Sequence, residues 1–155
     1  MKLFPWRKAI KVNWRTTIIA AVVFTAIAQI VHSLGAFIGI DYYLKEAFFP
    51  VWSKLMMPTA GPPPLSFTLY SLLFGFISAL IYAYIYNWVK GCLRGKSWVE
   101  KGLCFGLGLF FVGHVPGYLS MILLINLPLG LICLWAIEGL LISLIGGIAL
   151  VKIIG

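Results

Sequence analysis

Glu138 is the residue of this 155-residue chain best placed to do chemistry, because it is the only acidic side chain within a long apolar stretch. It lies near the middle of that stretch, residues 128–151. An uncompensated charge at mid-membrane depth costs about 2.5 to 3.5 kcal/mol or more. The carboxyl group is therefore expected to be protonated, paired with another side chain, or facing a water-filled cavity.

His114 is the first candidate partner for that carboxyl group. The apolar sequence 102–151 is too long for one membrane crossing, and it fits a hairpin that turns at 126 or 127. Such a turn places His114 level with Gly139, the neighbour of Glu138. A histidine and a carboxyl group at one depth can share a proton, as a relay or a cation-coupled binding site does. The structural alternative is a hydrogen bond that fixes the register of the hairpin.

Gln29 and His32 lie three residues apart in the first apolar stretch, so they share one helix face and extend the polar set. His32 and His114 also permit a haem held by two histidines, although their depths differ by roughly 6 Å. No cofactor is predicted, and no metal site, since the three cysteines form no CxxC pair. No serine, histidine and aspartate set supports a catalytic assignment.

The elements that must position these side chains are membrane helices. Hydrophobic residues make up 62% of the chain and charged residues 10%, with a mean hydropathy of +1.03, so only the membrane class fits. We predict an all-α integral membrane protein in which one domain, 1–155, forms a four-helix bundle. A membrane crossing needs about 20 residues. The predicted spans are 16–40, 65–89, 102–125 and 128–151.

Two segments between and before the spans have their own patterns. Residues 1–15 alternate basic and apolar side chains at helical spacing, which predicts a short amphipathic helix on the membrane surface. Residues 41–64 combine aromatic side chains with Pro58 and Pro62-Pro63-Pro64, which predicts an interfacial segment followed by a stiff turn. Pro116-Gly117, just after His114, predicts a bend in the third span.

Lysine and arginine residues are distributed unequally between the two sides. Ten of the twelve lie before span 1, between spans 2 and 3, or after span 4, and only Lys45 and Lys54 lie on the other side. This bias predicts a multi-pass protein of the cell membrane with both termini in the cytoplasm. The basic residues are then explained by topology and by contact with anionic lipid headgroups, and no nucleic-acid partner is expected.

Stripes of small residues four positions apart predict close helix packing. They occur in the last three spans: Gly75, Ala79 and Ala83; Gly102 and Gly106; Gly113 and Gly117; Gly139, Ser143 and Gly147. Packing within one chain is the simpler interpretation. The alternative is a homo-oligomer or a larger membrane complex in which some stripes face a partner.

Three functions from different classes remain open. The first hypothesis is a non-catalytic oligomeric or accessory component of a membrane assembly, which fits the short loops and small-residue stripes. The second is a proton-coupled transporter of a small solute that uses Glu138 and His114. The third is a membrane enzyme acting on a lipid or quinone, with Asp41, Glu46 or the basic loop residues at the interface.

Overall fold

The computed structural model describes residues 12–59 and 61–155, which form four long helices. These are α1 (Trp14–Ile38), α2 (Leu65–Val89), α3 (Trp98–Leu124) and α4 (Leu129–Ile154). Each is long and apolar enough to cross a membrane, so the prediction of an all-helical chain with four such helices is confirmed. The predicted amphipathic helix lies mostly outside the described residues, and its last two residues, Trp14 and Arg15, belong to α1.

Local capping sets where the helices begin. The Asn13 side chain accepts a hydrogen bond from the Thr16 backbone N–H at 3.4 Å, so α1 starts at Trp14. Ser97 Oγ accepts from the Glu100 N–H at 3.2 Å, and the Glu100 carboxylate accepts from the Lys96 N–H at 2.7 Å. This reciprocal arrangement starts α3 four residues before the predicted 102. Prolines precede both remaining helices, α2 and α4.

We call the two ends of the structure the terminal end and the loop end. The terminal end holds the start of α1, the α2–α3 connection and residue 155. The loop end holds the α1–α2 connection, residues 39–64, and the short α3–α4 turn. That turn falls at 125–128, where the hairpin was expected to reverse.

Helix α4 lies at the centre of the packing. It contacts α1 and the first half of α3, while α2 packs mainly on α1. In its most apolar window 44% of the residues are buried, against 6% for α2 and none for α3. Large apolar side chains such as Phe37, Val112 and Leu123 are more than three-quarters exposed. Such surfaces fit a lipid environment, because lipid tails are as apolar as the side chains themselves.

Glycines bring α3 and α4 into backbone contact near the terminal end. Gly106 lies against the Ser143 carbonyl, and Gly102 lies against the backbone of Ile148. Gly147 in turn lies against Gly102 and Gly106. One predicted small-residue stripe of α3 therefore packs on the predicted stripe of α4, whereas Gly113 and Gly117 have no such close neighbour.

The α1–α2 contact combines small and polar side chains. Ala20 and Ala21 of α1 and Ala79 and Ala83 of α2 are fully buried. Beside them the buried Asn87 amide donates to Thr17 Oγ1 at 3.3 Å and to the Ala83 carbonyl at 2.9 Å. Because both amide hydrogens have acceptors, this buried polar group is satisfied on its donor side.

A π-helical turn, Phe110–His114, divides α3 into two halves. The Val115 N–H bonds to the Phe110 carbonyl, five residues back, directly before Pro116. Before this turn α3 packs closely on α4, and after it the contact is sparse. The rings of His114 and Tyr118 stack there at a centroid distance of 6.1 Å, and both side chains reach Gly139 of α4. These two rings occupy the space beside Gly139, where the contact between the helices is sparse.

Replacing Gly106 with alanine tests the α3–α4 contact. The added methyl group would overlap the Ser143 carbonyl, so we expect the free energy of unfolding to fall by about 1 to 3 kcal/mol. Gly108→Ala is the matched control, because no atom lies within 4 Å of its added methyl group. Because alanine has a higher helix propensity than glycine, the free energy of unfolding of this variant should stay unchanged or rise by up to about 1 kcal/mol. Equal destabilisation of the two variants, measured by unfolding in mixed micelles, would contradict the contact.

Candidate functional site

The centre of the candidate site is a pair formed by Glu138 of α4 and His32 of α1. His32 Nδ1 and Glu138 Oε2 are 2.9 Å apart. The carboxyl group is almost completely buried, with 6% of the side chain exposed, whereas 57% of the His32 side chain is exposed. The pair therefore joins a buried acid to an accessible imidazole.

Gly35 makes room for this pair. It lies three residues after His32, on the same face of α1, and packs against the carboxyl group of Glu138. A β-carbon at position 35 would occupy the space that the carboxyl group fills. The absence of a side chain at Gly35 thus allows Glu138 to reach the α1 backbone and to meet His32 from the side.

Only one carboxyl oxygen of Glu138 has a hydrogen-bond partner. Oε2 contacts His32, while Oε1 is buried with no partner among the described residues. Buried polar atoms without a partner are rare and call for a physical reason. With the histidine as its one partner, the carboxyl group depends on His32 for compensation of its charge, and a single proton can be shared between them.

A cleft of about 660 Å³ adjoins the pair at the loop end. Its lining comes from all four helices and from the 39–64 connection, and it includes both Glu138 and His32. A second cavity of about 400 Å³ lies between α1 and α2. The two cavities share Gln29, His32, Phe67 and Ser71, so His32 stands where they meet.

Aromatic residues form the wall of the cleft on the other side of Glu138. The Trp135 indole N–H donates to Tyr43 Oη at 2.7 Å, and Tyr118 Oη donates to the Trp135 carbonyl at 2.8 Å. Trp52 adds a further ring, with its centroid 5.3 Å from that of Tyr43 and 6.3 Å from that of Trp135. These contacts fasten the 39–64 connection and the second half of α3 to α4, one turn from Glu138.

Tyr43 also responds electrostatically to the buried acid. Burial raises the pKa of the Tyr43 phenol, the hydrogen bond from Trp135 lowers it, and the charge of Glu138 raises it further. The net effect is an increase from the ordinary value near 10. The phenol therefore keeps its proton at neutral pH, and its O–H remains a donor because the Trp135 contact uses the oxygen as acceptor.

The structure brings together three of the four candidate residues. Glu138 and His32 are in contact, and Gln29 lines the same cleft, with its amide donating to Ser33 Oγ at 3.4 Å. His114 makes no hydrogen bond to the carboxyl group; its side chain lies beside Gly139, with its ring near those of Phe110 and Tyr118. Its Nε2 is buried without a hydrogen-bond partner in the described part of the chain.

The partner of Glu138 thus comes from α1 and not from α3, where the equal-depth argument placed it. That argument compares heights along the hairpin and contains no information on which face of a helix is turned inward. The predicted depth of His114 agrees with the structure, in which its side chain lies beside Gly139. The π turn that ends at His114 changes the direction of the residues that follow.

Sequence reasoning missed Tyr43, Tyr118 and Trp135 as members of the site. Trp135 is three residues before Glu138, and Tyr118 is four after His114, so helical spacing from the two polar candidates would have found both. Within residues 12–59 and 61–155, no group of three or more His, Cys, Asp or Glu side chains could hold a metal ion. The haem hypothesis for His32 and His114 stays a prediction.

Comparisons of this chain with protein-family models, curated proteins and solved structures gave no match.

The chain has two histidines, which makes their ring nitrogens individually observable by nitrogen-15 NMR. We expect Glu138→Gln to shift the signals of His32, because its nearest charge is removed, and to change those of His114 much less. The signals that disappear in the His32→Asn variant are those of His32. Glu100→Gln is the matched control, since a glutamine also serves at that capping position and leaves the site untouched. A change in the His114 signals alone would contradict the contact between His32 and Glu138.

Proposed function

We propose that this protein is a membrane carrier that binds a small solute in the cleft and exchanges it against a proton held by His32 and Glu138. One observation carries the proposal: a buried carboxyl group whose hydrogen-bond partner is an exposed histidine opening on a cleft of about 660 Å³. Ligand pockets for small molecules occupy roughly 300 to 1,000 Å³. The cleft falls within that range.

The pair supplies the chemistry that coupling needs. Ionisable residues inside membrane spans are expensive to maintain, and they mark ion paths and proton relays. His32 is open to the cleft, so it can exchange a proton with water there, while Glu138 stays fixed between α1 and α4. A solute that fills the cleft changes the surroundings of His32 directly, and this contact links solute binding to the proton.

The proposal includes the orientation and assembly of the chain. We place the terminal end in the cytoplasm of a cell-membrane protein, because ten of the twelve basic residues lie, in the sequence, before span 1, between spans 2 and 3, or after span 4. Its basic residues then contact anionic headgroups, and the cleft opens toward the outside. The four helices form a bundle around α4. Since the cleft occupies the loop end only, passage across the membrane requires a rearrangement of α1 and α2 or a second copy of the chain.

A non-catalytic role in a larger membrane assembly is the second candidate. It is favoured by the face of α3 that carries Gly113 and Gly117: no described atom lies within 4 Å of a β-carbon added at Gly117, and only the Tyr82 hydroxyl, at 3.9 Å, lies near one added at Gly113. Small residues of this kind let another helix approach closely. The hypothesis of a membrane enzyme acting on a lipid or quinone stays a prediction.

Assembly predicts an oligomer in mild detergent that depends on this face. Gly117→Leu should lower the native mass to that of a single chain, because the larger side chain keeps a second helix at a distance. Native mass spectrometry provides the measurement. An unchanged oligomer would exclude the Gly113 and Gly117 face as the contact, and a single chain before substitution would contradict a homo-oligomer in mild detergent.

Transport is tested in proteoliposomes that enclose a pH-sensitive dye. Three probes of similar size and low permeability are added in turn: benzyltrimethylammonium, phenyl glucoside and benzenesulfonate. We expect at least one probe to move protons across the membrane, and we expect Glu138→Gln and His32→Asn to abolish this movement. Glu100→Gln is the control for the charge change and should retain it.

Three outcomes would contradict this proposal. Proton movement with none of the probes would exclude a carrier for aromatic solutes of this size. Equal activity of Glu138→Gln and the unchanged protein would exclude the pair as the coupling site. If His114→Asn abolished the movement while His32→Asn did not, the proton would belong to the pair expected from the sequence, and the assignment of His32 would fail.

A further inference from the structure

The charges around the cleft restrict what it can bind. Among the described residues that line it, Glu138 is the one acidic side chain, and none is lysine or arginine. When the pair holds no extra proton, the cleft contains one uncompensated negative charge. An anionic solute would meet that charge at short range and low dielectric, where repulsion is strong. A cation would replace the missing positive charge.

The shape and polarity of the lining favour an organic cation over an inorganic one. Hard metal ions need about six oxygen ligands, and the described lining has one carboxyl group with a few hydroxyl and amide groups. Tyr43, Tyr118 and Trp135 instead provide aromatic surface, which attracts cations through the ring faces. Met56 and Met57 add polarisable apolar surface.

We infer that the solute is a monovalent organic cation with an apolar body, and that it takes the place of the proton on His32. This inference rests on the proposed function and names its solute class. The apolar body lies against the aromatic wall and the two methionines, and the positive charge lies toward Glu138. The cleft therefore accepts one positive charge at a time, as a proton or as the solute.

The exchange conserves charge and atoms. In the proton-loaded state both imidazole nitrogens of His32 carry hydrogen, and the imidazolium ion pairs with the Glu138 carboxylate. When the cation enters, His32 releases the Nε2 proton to water. Neutral His32 keeps the Nδ1 hydrogen and continues to donate it to Oε2, which is 2.9 Å away. One proton leaves for each cation bound, so higher pH favours binding.

Other titratable side chains also lie near the pair. They are Tyr43 of the connection, Tyr118 and His114 of α3, and Tyr70 of α2, which lines the adjoining cavity. His114 does not line the cleft, and its Nε2 is buried, which leaves His32 as the accessible histidine.

Binding of three probes of similar shape to the purified full-length protein in detergent tests the inference. Tetraphenylphosphonium is a cation, tetraphenylborate is an anion, and triphenylphosphine oxide is neutral. Titration calorimetry, with protein-free micelles as the blank, should show binding of the cation alone. Its apparent Kd should fall by about tenfold per pH unit while the pair holds the proton, as one released proton requires. Repeating the titration in two buffers of different ionisation enthalpy gives the number of protons released per bound cation.

Variants separate site binding from nonspecific uptake. Glu138→Gln should lose cation binding and its pH dependence, and Glu100→Gln should keep both. His32→Asn should bind the cation without releasing a proton, since the exchangeable proton is gone.

Each contrary outcome is specific. Equal binding of the neutral or anionic probe overturns the solute class, yet it leaves the carrier proposal intact if proton movement in proteoliposomes still requires Glu138. Cation binding with no proton released overturns the exchange. Binding of none of the probes, together with no proton movement in proteoliposomes, overturns the inference and the carrier proposal together.

Discussion

A carboxyl group buried among apolar helices must be neutralised or paired, and the loop end of this protein is organised around that requirement. Glu138 meets it through one hydrogen bond, to His32. The bond requires α1 and α4 to approach closely, and Gly35 allows this because it has no side chain to occupy the carboxyl position. The aromatic contacts of Trp135 then hold the connection and α3 at the same level. Removal of either member of the pair would leave the other without compensation.

The two ends of the helix assembly solve different physical problems. At the terminal end, glycines and Ser143 bring α3 and α4 into backbone contact, and Thr17 and Asn87 join α1 to α2. Near the loop end, the rings of His114 and Tyr118 lie between α3 and α4 beside Gly139, and a cavity lies between α1 and α2. One set of helices therefore combines a closely packed end with an end that leaves space for a ligand.

Hydropathy predicted the number of membrane-length helices, because a span of about 20 apolar residues is a physical requirement of the bilayer. Hydropathy placed the start of α3 at 102, four residues after the observed start. Trp98, Glu100 and Lys101 are polar or amphipathic, and the capping by Ser97 was overlooked. The choice of Glu138 and His32 came from residue type and location alone. Their contact could not be predicted, because helix neighbours and rotation depend on packing across the whole assembly. Gly35, one turn from His32, indicated that another group approaches this face of α1 closely, and this indication was overlooked.

The π turn at Phe110–His114 adds one residue to a helix that would otherwise continue in phase. Every side chain after it is rotated by roughly 100° relative to an uninterrupted α-helix, as 3.6 residues per turn requires. The first half of α3 contacts α4 through its glycines, and the second half places Tyr118 beside the cleft. The π turn thus sets the rotation of the second half relative to the first. A substitution in the second half can therefore alter the lining of the cleft without placing a new side chain in the backbone contact between the first half and α4.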